Sequence, residues 1–142
     1  MTGSVRSPLR WASGIMLFLG AGHLSVQTLL SWGVVSGWVD RGIWAAVPIM
    51  GASTTAALRD AAGFWGGPGS FAVPLILLGC ATWRLAARAV PLPAGVGWGL
   101  VAWSLISGVI LVPSPFAAGS VAGALIIVAA RRSDRPSREV PG

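Results

Sequence analysis

Lysine and tyrosine are absent from this chain, and among its 142 residues there are only one cysteine, one histidine and four acids. Each shortage closes off a class of chemistry. A lone Cys80 excludes an intrachain disulfide and any multi-cysteine metal site, and it reads as a small buried hydrophobe rather than a nucleophile. With one histidine and no CxxCH, a haem iron would lack its second ligand, so neither a metal nor a cofactor is expected. No GxSxG elbow is present to carry a serine nucleophile. Gly66, Gly67 and Gly69 form a glycine-rich stretch, but no lysine follows and no strand precedes, so a phosphate cradle is not expected.

Charge is also scarce. Charged residues make up 10% of the chain, against roughly a quarter in soluble proteins, while 54% is hydrophobic and the mean hydropathy is +0.75. That leaves too little polar surface to cover a water-soluble globule, and an integral membrane protein is expected. The formal charge of +6 comes entirely from arginine. Because these arginines sit beside hydrophobic runs instead of forming a stripe, anionic lipid headgroups are the nearer partner, and nucleic acid is not expected.

What is present is a pattern. Eight of the ten arginines fall in three clusters: Arg6 and Arg10 before the first apolar run, Arg84 and Arg88 after the second, and Arg131, Arg132, Arg135 and Arg138 after the last. All three can share one side of a bilayer, which basic loops mark as the cytoplasm. Arg41 and Arg59 each adjoin an acid, Asp40 and Asp60, so the opposite side is nearly neutral. The apolar runs predict four spans, at about 11–32, 65–87, 96–112 and 116–130, with a cytoplasmic tail over 131–142. The first is long enough for a hydrocarbon core of roughly 30 Å at about 1.5 Å per residue. Tryptophans mark its two ends, and Pro74 inside the second span predicts a kink. Pro91 to Gly95 reads as a stiff inner turn, and Pro113, Ser114 and Pro115 as a tight outer one that makes spans three and four a hairpin.

The segment 37–64 is too polar and too interrupted to cross. Ile43, Val47, Met50, Leu58 and Ala61 recur at helical spacing, whereas Pro48 and Gly51 argue against one continuous helix. Two short helical pieces on the outer surface are expected, the second starting near Ser53 as N-cap; an ordinary loop is the alternative. A cleaved signal peptide is the alternative for the first span, but its apolar run is too long and Gly20-Ala21-Gly22 is a poor cleavage site. Gly119 with Gly123, and Ser104 with Gly108, are small-residue pairs that allow spans three and four to approach closely.

His23, near the middle of span one, and Gln27, one turn on, share a helical face. A polar pair at that depth should face the bundle interior. There it could carry a proton, meet a ligand polar group, or serve only as structural glue. Asp40 and Asp60 are the acids that could turn toward His23 for general acid and base work; the alternative is that both are solvated beside their neighbouring arginines. Trp65, at the mouth of span two, is a further candidate for a ligand wall.

Gly20-Ala21-Gly22-His23-Leu24, Gly63-Phe64-Trp65, Pro91-Leu92-Pro93 and Gly97-Trp98-Gly99-Leu100 resemble a family of small four-helix membrane proteins common in actinobacteria and catalogued as a domain of unknown function. The resemblance covers most of the chain and implies a four-span bundle with a histidine in its first helix. Gly66-Gly67-Pro68-Gly69 departs from the large apolar residues that usually follow the aromatic pair.

The expectation is thus an all-α, single-domain, four-helix transmembrane bundle over residues 1–142, with an outer interfacial segment between helices 1 and 2. It would be a multi-pass protein of a bacterial inner membrane with both termini cytoplasmic. Three functions are open: binding a lipophilic small molecule or a membrane partner through His23, Gln27 and Trp65; an enzyme on a lipophilic substrate such as an isoprenoid, using His23 with Asp40 or Asp60; or a transporter subunit, which would need a homo-oligomer.

Overall fold

The computed structural model describes residues 3–44, 46–47, 53–111 and 115–134. Among them are six helices and no strand: α1 (Gly3–Leu30), α2 (Trp32–Asp40), α3 (Thr55–Gly66), α4 (Ala72–Ala87), α5 (Ala94–Ile110) and α6 (Phe116–Ser133). Two are long and apolar enough to cross a membrane, over Val5–Leu30 and Phe116–Ser133; Ala72–Ala87 and Ala94–Ile110 are apolar but shorter. Met50, Pro48, Gly51, Val112, Pro113, Ser114, Arg135 and Arg138, each of which carried an expectation, lie outside the described residues.

Helix boundaries follow local chemistry, and several differ from the expected spans. α1 begins earlier than residue 11 and stops at Leu30, because Ser31 leaves helical geometry. The Ser31 carbonyl then accepts from the amides of Val34 and Val35 and starts α2. The run expected as one span from Trp65 is two elements. α3 ends at Gly66, and Gly67 to Phe71 turn the chain before α4 begins. Pro74 therefore sits in the first turn of α4, not inside a longer span, where its missing N–H has no intrahelical partner to lose. The N-cap of α3 is Thr54, one residue beyond Ser53, with its hydroxyl accepting from the Ala57 amide at 3.2 Å. At the end of α4 the Val90 amide reaches the Leu85 carbonyl, and Ala89 takes a positive φ of 55°, a position usually held by glycine.

The chain forms two compact units. Unit 1 comprises residues 1–19 and 77–142, and unit 2 residues 20–76. In unit 1, the N-terminal part of α1 runs antiparallel to α4: the Ser13 hydroxyl donates to the Gly79 carbonyl at 2.7 Å, and the Arg10 guanidinium lies 5.7 Å from the centre of the Trp83 ring. α5 packs along α6 through glycine. A methyl group on Gly123 would sit 2.6 Å from the Gly97 carbonyl oxygen, and one on Gly97 would sit 2.7 Å from that of Gly123. Ser104 faces Gly119, whereas Gly108 is looser, with Phe116 at 3.7 Å. The small-residue contact is thus Gly97, Ser104, Gly119 and Gly123. Leu9, Met16, Ala86, Leu100, Ala122 and Ile126 are buried in this unit. Cys80 is exposed on α4, contrary to the expectation of burial.

The outside of both units is apolar to a degree uncommon for a surface in water. Phe18, Leu29, Leu30, Leu77, Ile106, Val109 and Ile110 are all more than half exposed, Val109 at 81%. Charge is segregated between the units. Among the described residues, unit 1 carries Arg6, Arg10, Arg84, Arg88, Arg131 and Arg132 against Asp134 alone, whereas unit 2 balances Arg41 and Arg59 with Asp40 and Asp60.

Candidate functional site

Unit 2 contains the residues to which the sequence pointed. The C-terminal part of α1 presents His23 and Gln27 on one face, and Ser31, between α1 and α2, follows four residues on. That face meets the end of α3. The His23 Nε2–H donates to the Gly66 carbonyl at 2.8 Å. A carbonyl only accepts, so Nε2 carries the proton and a neutral ring keeps its lone pair on Nδ1. The His23 ring also lies 4.7 Å from that of Phe71, tilted by 46°. The carbonyl that His23 engages is one that the last turn of a helix leaves without an intrahelical donor. His23 is therefore a side-chain cap on α3, which makes its structural role concrete.

Gln27 packs on the same turn. A methyl group on Gly66 would fall 2.6 Å from the Gln27 amide nitrogen, so that amide rests directly on the end of α3 and would have to shift for any side chain there. Its nitrogen also reaches the Ser31 hydroxyl at 3.5 Å. Gly66, part of the departure from the expected family pattern, is where the Gln27 side chain rests on α3.

Beside this contact lies a cavity of about 220 Å³. Gln27, Thr28 and Ser31 form its polar edge, and Val35, Trp38, Val39, Ile43, Gly63, Gly67 and Pro68 complete the wall. α2 and α3 are held together behind it. Gly63 is buried against Val34 and the Trp38 ring, where a methyl group would stand 3.1 and 3.5 Å from them. The Trp38 indole N–H donates to Asp60 Oδ1 at 2.9 Å, and Arg41 donates to Oδ2 at 2.9 Å. Asp60 is 16% exposed in this pair and Arg41 56%, so the bond to Trp38, not the ion pair, is its more enclosed contact.

The candidates thus separate. Gln27 lines the cavity. His23 supports the wall through Gly66. Trp65 is 65% exposed, with an edge-on contact to Phe64, and does not line the cavity. Asp60 has both oxygens engaged by Trp38 and Arg41, and Asp40 is exposed at the end of α2. Neither acid bonds to His23, and no acid or base lines the cavity. The lining can hold a neutral molecule by hydrogen bonds and apolar contact. Among the described residues no group of three potential metal ligands occurs.

Thr28, Ser31 and Trp38 were not singled out from sequence, and Gly63 was noted only within the Gly63-Phe64-Trp65 motif. Ser31 could have been, because it extends the His23–Gln27 stripe by one further turn. Trp38 and Gly63 depend on the pairing of α2 with α3, for which no local signal exists.

Comparison with known proteins adds membership but no activity. No curated protein and no solved structure matches the chain. The model of a family of unknown function matches residues 7–134, a stretch that holds both units' helical cores and the whole cavity. The chain therefore belongs to that family, DUF6463.

Proposed function

We propose that the protein is a multi-pass membrane protein whose outer half holds a lipophilic molecule with a neutral hydrogen-bonding end. The observation that carries this reading is the unit 2 cavity, with an apolar wall and a polar edge of Gln27, Thr28 and Ser31. Such a mixture of apolar lining and a few placed polar groups is typical of small-molecule sites, although at about 220 Å³ this one is below their usual range of about 300–1,000 Å³. It suits a head or chain segment better than a whole lipid.

In this reading α1, α4, α5 and α6 cross the bilayer as a four-helix bundle, with α2 and α3 at its outer face. The exposed apolar side chains on these helices support it, since in water each would remain unburied. α4 and α5, of 16 and 17 residues, extend about 24 and 26 Å at the usual helical rise. Local thinning of the bilayer and their apolar flanks, Val90 and Leu111, make up the difference from roughly 30 Å. The arginines at the start of α1, the end of α4 and the end of α6 then lie on the cytoplasmic side with both termini. Binding is favoured over turnover because the lining offers hydrogen bonds but no proton-transfer group.

Native mass spectrometry of protein released from a mild detergent tests the binding reading. Wild type should carry a discrete adduct that the double variant Gln27→Ala/Ser31→Ala loses and Trp65→Ala keeps. A folded but empty wild type, or loss of the adduct with Trp65→Ala alone, would refute it.

A further inference from the structure

We propose that Arg6, Ser7, Arg10 and Trp11 form a seat for the phosphodiester headgroup of an anionic glycerophospholipid. These four residues line an open hollow of about 470 Å³ in unit 1, well away in sequence from the cavity residues. The inference rests on the bilayer placement proposed above but not on the binding function of that cavity.

Arg6 and Arg10 are one helical turn apart on α1, so their guanidinium groups project from adjacent positions on one face, with Ser7 beside them. Both arginines are exposed. Arg10 is not free to wander, because its guanidinium lies over the Trp83 ring at 5.7 Å, which lowers the entropy lost when it binds. A planar guanidinium fork matches two phosphate oxygens at once, and the Ser7 hydroxyl adds a further donor. The only acid among the described residues of this unit is Asp134, at the C-cap of α6. A headgroup that carries its own ammonium would meet Arg6 and Arg10 with no carboxylate in the lining to offset them, which selects for net negative lipids.

What points to a lipid, not a soluble anion, is the surface that leads away from the hollow. The apolar run of α1 begins at Trp11, directly after Arg10. Trp11 is 69% exposed, and Phe18, seven residues on and thus on the same helical face, is 78% exposed. A phosphate held by Arg6 and Arg10 would lay its acyl chain along Trp11 toward Phe18. An indole at headgroup depth also suits the interface between polar and apolar regions.

The test uses the full chain in nanodiscs and in detergent. Wild type in detergent should bind phosphatidylglycerol in preference to phosphatidylcholine, with discrete adducts by native mass spectrometry. Arg6→Gln/Arg10→Gln should weaken that adduct by on the order of tenfold per arginine, the usual scale for a charge-assisted hydrogen bond. The control double variant Arg88→Gln/Arg131→Gln removes the same charge elsewhere in unit 1 and should leave the adduct within about twofold. Equal loss in both variants would mean diffuse charge and overturn the seat. Displacement by excess inorganic phosphate, with no dependence on acyl chains, would mean a soluble-anion site and overturn it too. Failure of the wild type to enter nanodiscs would refute the bilayer placement, whereas incorporation without phosphatidylglycerol preference would refute the seat alone.

Discussion

Replacing Gly97 by alanine should destabilise the protein, whereas the same change two residues on, at Gly99, should not. A Cβ at Gly97 would stand 2.7 Å from the Gly123 carbonyl oxygen and 3.1 Å from the Ile127 backbone nitrogen, against 3.4–4 Å for ordinary contact. Both obstacles are backbone atoms of α6, so no rotamer change relieves them. α5 and α6 must part by about 0.7 Å, and side chains along the contact lose dispersion energy as they do. Overpacking of this kind costs about 1–3 kcal/mol. Against it stands the gain of up to about 1 kcal/mol that alanine brings to a helix over glycine. The net for Gly97→Ala is a loss on the order of 1–2 kcal/mol. Gly99 has nothing within 4 Å of its notional Cβ, so only the gain remains and Gly99→Ala should be neutral or stabilising. Gly123→Ala should resemble Gly97→Ala, since its Cβ would meet the Gly97 oxygen at 2.6 Å and the Val101 nitrogen at 3.0 Å. Because the two glycines obstruct each other, the double variant should lose less than the sum of the two. Thermal unfolding of the four variants in one mild detergent, followed by circular dichroism, is the assay. Shifts of the same sign and size at positions 97 and 99 would refute the α5–α6 register.

Two buried serines should behave oppositely. Ser13→Ala removes a 2.7 Å bond to the Gly79 carbonyl and should cost about 1 kcal/mol, whereas Ser104→Ala should be neutral or stabilising, because the buried Ser104 hydroxyl has no partner among the described residues; thermal unfolding separates them. Ala89→Gly should raise stability by about 0.5–1 kcal/mol, since glycine holds a positive φ without the Cβ clash that alanine carries at 55°; a lower midpoint would contradict that end of α4. Cys80, exposed near the middle of α4, should resist a charged, membrane-impermeant maleimide in sealed and in opened vesicles and react once the protein is denatured. Ready reaction in intact membranes would remove α4 as a span. Asp60→Asn should cost at most about 1 kcal/mol, because an amide oxygen still accepts from Trp38 and only a half-exposed ion pair is lost, whereas Asp60→Leu should cost more; denaturant unfolding distinguishes the two.

Helical class, the runs of residues that build α1, α4, α5 and α6, and the polar stripe of His23 and Gln27 were legible in the sequence. Each follows from hydropathy and a period of 3.6 residues, which are properties of neighbours along the chain. So was the segregation of arginine, which needs only the order of charges and apolar runs. The small pair Gly119 and Gly123 was found for the same reason, but its partner Gly97 was not, because which glycine of α5 faces them depends on the register of two helices. The split of the expected second span was legible only in part. Gly66-Gly67-Pro68-Gly69 is a local signal for a break, but that a separate helix, α3, ends there against His23 and Gln27 is seen only in the structure. Asp60 was weighed as a partner of His23 or as a solvated ion; its bond to Trp38 joins residues on separate helices, and tertiary structure alone could supply it. The chain's sequence thus determined the helical class, the long apolar runs and where charge lies; it did not give α2 over Trp32–Asp40 in place of a helical piece through Ile43 and Val47, and the cavity of Gln27, Ser31, Trp38 and Gly63 was decided by the tertiary structure, since its walls come from helices whose pairing no local pattern encodes.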